Sequence, residues 1–384
     1  MNRMDKSTVT ATNGYKRIVR LIWIFSCAIG LTGAGAEMSA AGGCTSFCLC
    51  GDGRAIVGKN LDWSIEEGVL CLNPRGLHKK AFVDSTERAL EWVSTYASVS
   101  FNQLGREFPL GGMNEAGLVV EELAYWPSRF PPPDERPVVN ELQWIQYQLD
   151  AHASVAEVIE RGPDVSPRPL LFGLHYFVAD ASGDAAVIEF LNGKRIVHHG
   201  SGLPIPVLTN DTYKNSVRYL SNFTGFGGTL SVSDGHESPE RFVRAATMLR
   251  EFERGRSSTD PVPHAFAILA STAQEDTQWS IVYDAGERTV RFRTASVPAE
   301  RIVRLAALDP ECDGPILALD LSDPRDGDIG EYLAPWSPED QERLVSGVLA
   351  RLAGERIVED RLRERFQKAL VRYGSVVPRC EGVR

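Results

Sequence analysis

The sequence predicts an α+β fold in which antiparallel sheets pack against helices. Three observations carry this reading. Extended runs are joined by short turn-forming steps, so neighbouring strands run antiparallel. Apolar residues recur at helical spacing in only a few segments. The order is strands, helices, strands, a helix, strands, without the regular alternation of a doubly wound parallel sheet.

The elements follow in order. Residues 44–50 alternate small, polar and apolar side chains and run into Gly51-Asp52-Gly53; residues 54–60 then resume extended structure. The Asp-Gly step signals a hairpin. Cys44 is therefore expected to open a strand, with Lys59, Asn60 and Asp62 returned beside it. Further strands are predicted at 90–99, 118–123, 174–179, 185–190, 195–199 and 206–209, with turns at Ser182-Gly183-Asp184 and Asn192-Gly193. Residues 139–149 and 154–160 read as helices, because Leu142, Ile145, Gln146 and Leu149 recur at helical spacing. Residues 241–252 form another, opened by a cap-like Ser238 with Pro239 in the first turn. A late hairpin joins 279–283 to 289–292 around Asp284-Ala285-Gly286-Glu287. From 297 the character changes. Helical runs over 338–371 carry Leu344, Val348, Leu352, Val358, Leu362 and Phe366 on their apolar faces. They predict a C-terminal helical extension, 297–384, packed on the main domain or forming a dimer surface.

At 384 residues and 43% hydrophobic, the chain suffices for one large domain or two ordinary ones. Its formal net charge is -10; residues 1–43 contribute +3 and the remainder about -13. That sign disfavours a nucleic-acid backbone or an anionic membrane as partner. Lys16, Arg17 and Arg20 precede the apolar run 21–31, and small residues follow up to Gly43. This is the pattern of a signal peptide and processed segment, 1–43, and predicts a periplasmic or secreted protein. Cleavage is expected after Ala36 or directly before Cys44. A retained anchor at 21–31 is the alternative, although the run is short for a membrane span, and no stable span is expected after processing. A lipid-anchored Cys44 is a third reading, weakened by the polar, glycine-rich stretch between it and the apolar run. Of seven cysteines, Cys27 leaves with the signal; Cys44, Cys48, Cys50, Cys71, Cys312 and Cys380 remain. Export permits disulfides. If Cys44 stays a thiol, at least one other cysteine is unpaired. The spacing of Cys44, Cys48 and Cys50 fits no structural zinc pattern, and no metal or cofactor is expected.

Cysteine is a strong nucleophile once its proton is removed. None of the seven histidines sits in a recognisable Cys/His motif. A different base exists if Cys44 becomes residue one: its own α-amino group, with a pKa of about 7.7–8.0 and already tethered beside the thiol. A merely structural cysteine is the competing reading.

The stretches Cys44-Thr45-Ser46-Phe47 and Gly58-Lys59-Asn60-Leu61-Asp62-Trp63 resemble the start of the choloylglycine hydrolase and penicillin V acylase family, linear-amide hydrolases of the N-terminal-nucleophile superfamily. More motifs similar to the family's follow in order: Asn73-Pro74-Arg75-Gly76, Gly112-Met113-Asn114-Glu115-Ala116-Gly117-Leu118, Val207-Leu208-Thr209-Asn210, Ser238-Pro239-Glu240-Arg241-Phe242 and Thr277-Gln278-Trp279-Ser280. The resemblance spans residues 44–295. It implies an αββα sandwich over the domain 44–296.

The resemblance also implies roles. Cys44 would attack the amide carbonyl while its α-amino group relays the proton. Asp62 would hold that amino group. Asn210 would donate to the tetrahedral oxyanion, with a backbone N–H near Ala124-Tyr125 as second donor. Arg241 would stabilise the thiolate and the carboxylate. Two departures stand out. Lys59 replaces the family's usual arginine, keeping a charge that should lower the thiol pKa but losing the planar fork. Ala124-Tyr125 stands where bile-salt-cleaving members carry asparagine. The aromatic and proline-rich loop from Tyr125 and Trp126 to Pro133 is expected to wall an acyl pocket with Ala124. The expected partner is a small N-acyl amide of the penicillin V or acyl-homoserine lactone type, with a conjugated bile salt as alternative. An inactive membrane-anchored binding protein is the alternative of another class. Homo-oligomers are common in the family.

Overall fold

The computed structural model describes residues 43–51, 54–255, 260–308, 310–376 and 378–381. The expected signal peptide and the Asp52-Gly53 turn lie outside the described residues.

Two sheets dominate. The first runs Val207–Leu208, Thr45–Gly51, Arg54–Asp62, Thr277–Asp284, Thr289–Thr294, Arg301–Arg304, Gly327–Asp328. The second runs Lys194–His199, Ala185–Leu191, Leu174–Ala179, Val119–Ala124, Pro109–Asn114, Ser98–Asn102, Val69–Asn73, Leu317–Asp320, Ala334–Pro335. Neighbours are antiparallel, except that Arg301–Arg304 pairs parallel with Gly327–Asp328. Helices Ser238–Gly255 and Pro261–Thr272 cover the first sheet, and Glu141–Ala151 covers the second. The result is the αββα sandwich. Aromatic rings fill the space between the sheets: Phe101 of the second lies 5.1 Å from Phe292 and 6.1 Å from Trp279 of the first. Because both faces of a central strand are covered, every residue of Arg54–Asp62 after Arg54 is buried. Its polar members Lys59, Asn60 and Asp62 must therefore find partners inside the protein.

The first hairpin pairs Thr45 with Asn60 and Ser46 with Lys59. Gly58 stands opposite Phe47, where a Cβ would approach the ring to 2.2 Å. Its bare backbone lets Phe47 lie flat across the strand. Cys48 is bonded to Cys50 and Cys312 to Cys380. Cys44 and Cys71 are free thiols, so the unpaired cysteine anticipated besides Cys44 is Cys71.

Some expected elements shift. The single strand at 90–99 is two, Glu91–Val93 and Ser98–Asn102. The chain breaks between them because the N–H groups of Thr95 and Tyr96 turn to the Asp150 carbonyl. The helix expected from 139 begins at Glu141, since Asn140 caps it by accepting from the Leu142 and Gln143 N–H groups. The segment between 297 and 337 is strand-bearing rather than helical and adds strands to both sheets. Its apolar runs, Ile302-Val303 and Leu317-Ala318-Leu319, are long enough for short strands and too short for a helical repeat. The helical extension proper is the pair Pro338–Gly354, opened by a Ser337/Asp340 capping box, and Asp360–Ser375. It packs on the main domain: Phe366 and Tyr373 meet Phe82, and Arg106 donates to the Gly374 and Val376 carbonyls.

Candidate active site

Cys44 lies immediately before the strand Thr45–Gly51 and is buried. The hairpin register brings Lys59 and Asp62 to it. The strand Val207–Leu208 pairs with Thr45–Gly51 on the other side, placing Asn210 just beyond its end. Helix Ser238–Gly255 crosses this sheet and points Arg241 at the same spot. All five residues singled out in the sequence thus converge on one end of the first sheet.

Arg241 ties the cluster together. Its Nη1 donates to the Cys44 carbonyl at 2.8 Å and to Thr45 Oγ1 at 3.0 Å. Its Nη2 donates to Asn210 Oδ1 at 2.9 Å, and its Nε to the His236 carbonyl at 3.0 Å. Asp62 Oδ2 lies 3.8 Å from Nη1. A planar five-donor fork suits this set of acceptors as a lysine would not. Asp62 also accepts from Thr277 Oγ1 at 2.5 Å and Gln274 Nε2 at 2.9 Å. Gln274 Nε2 further donates to the Gly43 carbonyl at 2.9 Å, across the peptide that precedes Cys44. A Cβ on Gly43 would stand 2.2 Å from Arg241 Nη2 and 2.7 Å from Gln274 Nε2, so both side chains would have to shift to admit one. Burial raises the Asp62 carboxyl to about 6, against the Thr277, Arg241 and Gln274 contacts that lower it.

Lys59 bridges the sheets. Its ammonium donates to the Glu122 carbonyl and lies 3.9 Å from Glu121 Oε2 and 3.8 Å from Glu122 Oε1. Burial pulls its pKa down, but the Cys44 thiol and the Glu122, Glu121 and Asp62 carboxyls around it raise it overall. One ammonium facing two carboxyls cannot hold both ionised at low cost. Glu121, which accepts from the Tyr283 hydroxyl, is pushed up to about 8 by burial against the Lys59 charge and that hydrogen bond. Cys44 itself corrects an expectation. With Gly43 attached, burial raises the thiol to about 11; Lys59 lowers it but does not prevail, and Glu122 and Asp62 add to the rise. The buried site holds a neutral thiol, and removal of its proton requires an adjacent base.

Beside Cys44 a pocket opens between the sheets. Leu61, Trp63, Leu110, Phe172 and Leu174 form its apolar walls. Trp63 and Trp126 each meet Phe172 edge-on, at 6.4 and 6.2 Å. Of the three residues expected to line it, Ala124 and Trp126 do. Tyr125 does not: its ring stacks on His175 at 5.3 Å, because successive side chains point to opposite faces. Nor is its backbone N–H a spare donor, since it bonds the Gly173 carbonyl at 2.7 Å. Asn210 Nδ2 donates to the Ala124 carbonyl at 2.9 Å, which uses one of its two hydrogens.

A buried thiol between an apolar pocket and a carboxylate–arginine–amide cluster is an arrangement for acyl transfer. Residues 44–302 match the family described as linear amide C-N hydrolases, choloylglycine hydrolase family. The chain belongs to the choloylglycine hydrolase family. It is a linear amide hydrolase. A penicillin V acylase of Pectobacterium atrosepticum is 25% identical over 285 residues, 63% of this chain and 75% of that one. The solved penicillin V acylase from Agrobacterium tumefaciens superposes with a TM-score of 0.66 at 25% identity, covering 76% of this chain and 97% of that one. A conjugated bile acid hydrolase from Clostridium perfringens shares the fold, with a TM-score of 0.61 at 18% identity over 72% of this chain and 96% of that one.

Three side chains at the site lie outside the motifs: Gln274, Glu121 and Glu122. Gln274 carries no signal in sequence; only the fold brings it to Asp62 and Gly43. Glu121 and Glu122 did leave one, as two acids inside the apolar run Leu118-Val119-Val120-Glu121-Glu122-Leu123. They give the Lys59 ammonium its partners.

Proposed function

We propose that this enzyme, once Cys44 is its first residue, hydrolyses N-acyl amides of the penicillin V or acyl-homoserine lactone type with Cys44 as nucleophile. The observation that carries the reading is the position of Cys44, its thiol on the apolar pocket and its backbone on the Asp62–Gln274–Arg241 cluster. The family match beginning at Cys44 supports it. The two disulfides support an exported, periplasmic or secreted protein.

The freed α-amine takes the thiol proton, and the sulfur adds to the amide carbon. Asp62 holds the ammonium so formed. The remaining N–H of the Asn210 amide faces the oxyanion; one such donor is worth about 3–4 kcal/mol in the transition state. Collapse returns the proton to the leaving amine and breaks the C–N bond, leaving a thioester on Cys44. Water, deprotonated by the same amine, adds to the thioester and releases the acid and the thiol. The Trp63–Phe172–Trp126 wall suits a flat or slender acyl group, as in penicillin V.

The test is a panel of penicillin V, decanoyl-homoserine lactone and glycocholate against the wild type and Cys44→Ser. The reading expects cleavage of the first or second, and loss of that cleavage in a folded Cys44→Ser. Turnover of glycocholate alone would replace the substrate class; unchanged turnover in Cys44→Ser would remove the nucleophile.

A further inference from the structure

The pocket beside Cys44 is not apolar throughout. Glu122, on the strand Val119–Ala124, lines it among Leu61, Leu110, Phe172 and Leu174. Its side chain is 6% exposed. A carboxyl buried to that degree normally accepts hydrogen bonds, and leaving it unbonded costs stability. Here the nearby ammonium does not supply one. Lys59 donates to the main-chain carbonyl of Glu122 and stays 3.8 Å from its carboxylate. Among the described residues no N–H or O–H donates to the Glu122 carboxyl oxygens. Its neighbour differs, since Glu121 accepts from the Tyr283 hydroxyl. The amide of Gln103, also on the pocket, spends an N–H on the Ile65 carbonyl. Lys59 accounts for the charge of Glu122, but its hydrogen-bonding capacity is open toward the cavity that receives substrate.

We propose that Glu122 is a specificity-determining residue that accepts a hydrogen bond from a hydroxyl near the carbonyl end of the substrate's acyl group. The pocket then selects a hydroxylated acyl chain over the plain hydrocarbon chain of the same length. A bare chain leaves the carboxyl dry and unbonded, whereas a β-hydroxyl replaces the water it loses. Discrimination of this kind is larger than a methylene's worth, because a buried polar group is left unpaired by the wrong substrate. Ionised, Glu122 accepts the bond; burial raises its pKa, with Lys59 and His175 opposing, and the protonated form still offers an acceptor oxygen.

This inference rests on the acylase reading, and its test separates the two. Hydrolysis of β-hydroxydecanoyl- and decanoyl-homoserine lactone is measured side by side, with penicillin V as a reference for acylase activity. The ratio of kcat/KM for the two lactones is the readout, so a general loss of activity in a variant cancels. The wild type is expected to favour the hydroxylated substrate by about tenfold or more. Glu122→Gln, which retains an acceptor oxygen, keeps a preference in the same direction. Glu122→Leu brings the ratio to about one; Lys59 retains Glu121 as a partner in that variant. A wild-type ratio of one or below overturns the inference even if Glu122→Leu fails to fold. So does a ratio that Glu122→Leu leaves unchanged, or cleavage of penicillin V with neither lactone touched. Failure to cleave any of the three overturns the acylase reading and the inference with it.

Discussion

At the scale of single residues, the polar cluster is organised by acceptors around one guanidinium. Asn210 accepts from Arg241 through Oδ1 and donates to the Ala124 carbonyl, so its amide plane is fixed from both ends. That is preorganisation of the remaining N–H, the property that makes an oxyanion donor effective. Asn210→Ala is expected to lower kcat about 100- to 1000-fold with KM little changed. Steady-state kinetics on the cleaved panel substrate measures it, and a loss confined to KM would assign Asn210 to ground-state binding instead. Cys44, Lys59, Asp62, Asn210 and Arg241 could be picked out in the sequence because they sit in four short motifs, Lys59 and Asp62 sharing one. Their partners were less legible. Gln274 lies 212 positions from Asp62 and meets it only through the pairing of Arg54–Asp62 with Thr277–Asp284. Of the backbone N–H groups near Ala124-Tyr125, that of Tyr125 is taken by the Gly173 carbonyl, a loop contact that no local pattern reports.

At the scale of elements, burial on both faces decides which segments carry a readable pattern. The hairpin from Thr45 to Asp62 was readable from its turn, and its observed register follows from it. The helix Pro261–Thr272 was not singled out, since it is apolar nearly all round and lacks a clear stripe. The strand Val119–Ala124 carries the most unusual chemistry, two acids on a buried element facing Lys59 of the opposite sheet. Glu121 gives this pairing a pH signature. Its folded pKa of about 8 lies above the ordinary 4.5, so the folded state holds the proton more tightly than the unfolded chain. Its contribution to stability is full below about 4.5 and is lost as pH rises toward about 8. Urea unfolding at pH 5 and pH 8 should show the wild type losing more stability than Glu121→Gln, a neutral side chain of the same shape. Equal losses in the two proteins would mean that Glu121 is ionised throughout and shares the Lys59 charge with Glu122.

For the whole molecule, the sheets, the helical layers and the C-terminal helices form a frame that is complete behind the site. The segment after 297 adds strands to both sheets, and Cys312–Cys380 ties the end of the chain back to the body. The sequence showed the helical pair by its apolar faces. It hid the strands before it, because strands of two to four residues carry too little pattern to be read. What this frame presents is a thiol that burial keeps protonated while residue 43 remains attached. With the Gly43–Cys44 peptide intact, the nitrogen beside the thiol is an amide and cannot act as the base. In the proposed mechanism, processing is the step that converts the folded chain into a catalyst. The most direct measurement is the intact mass of the active protein, before and after mixing with penicillin V. The account predicts a chain that begins at Cys44 and transiently gains one phenoxyacetyl group on its N-terminal peptide. A fully active chain that retains residues before Cys44, or an acyl group carried elsewhere, would contradict it.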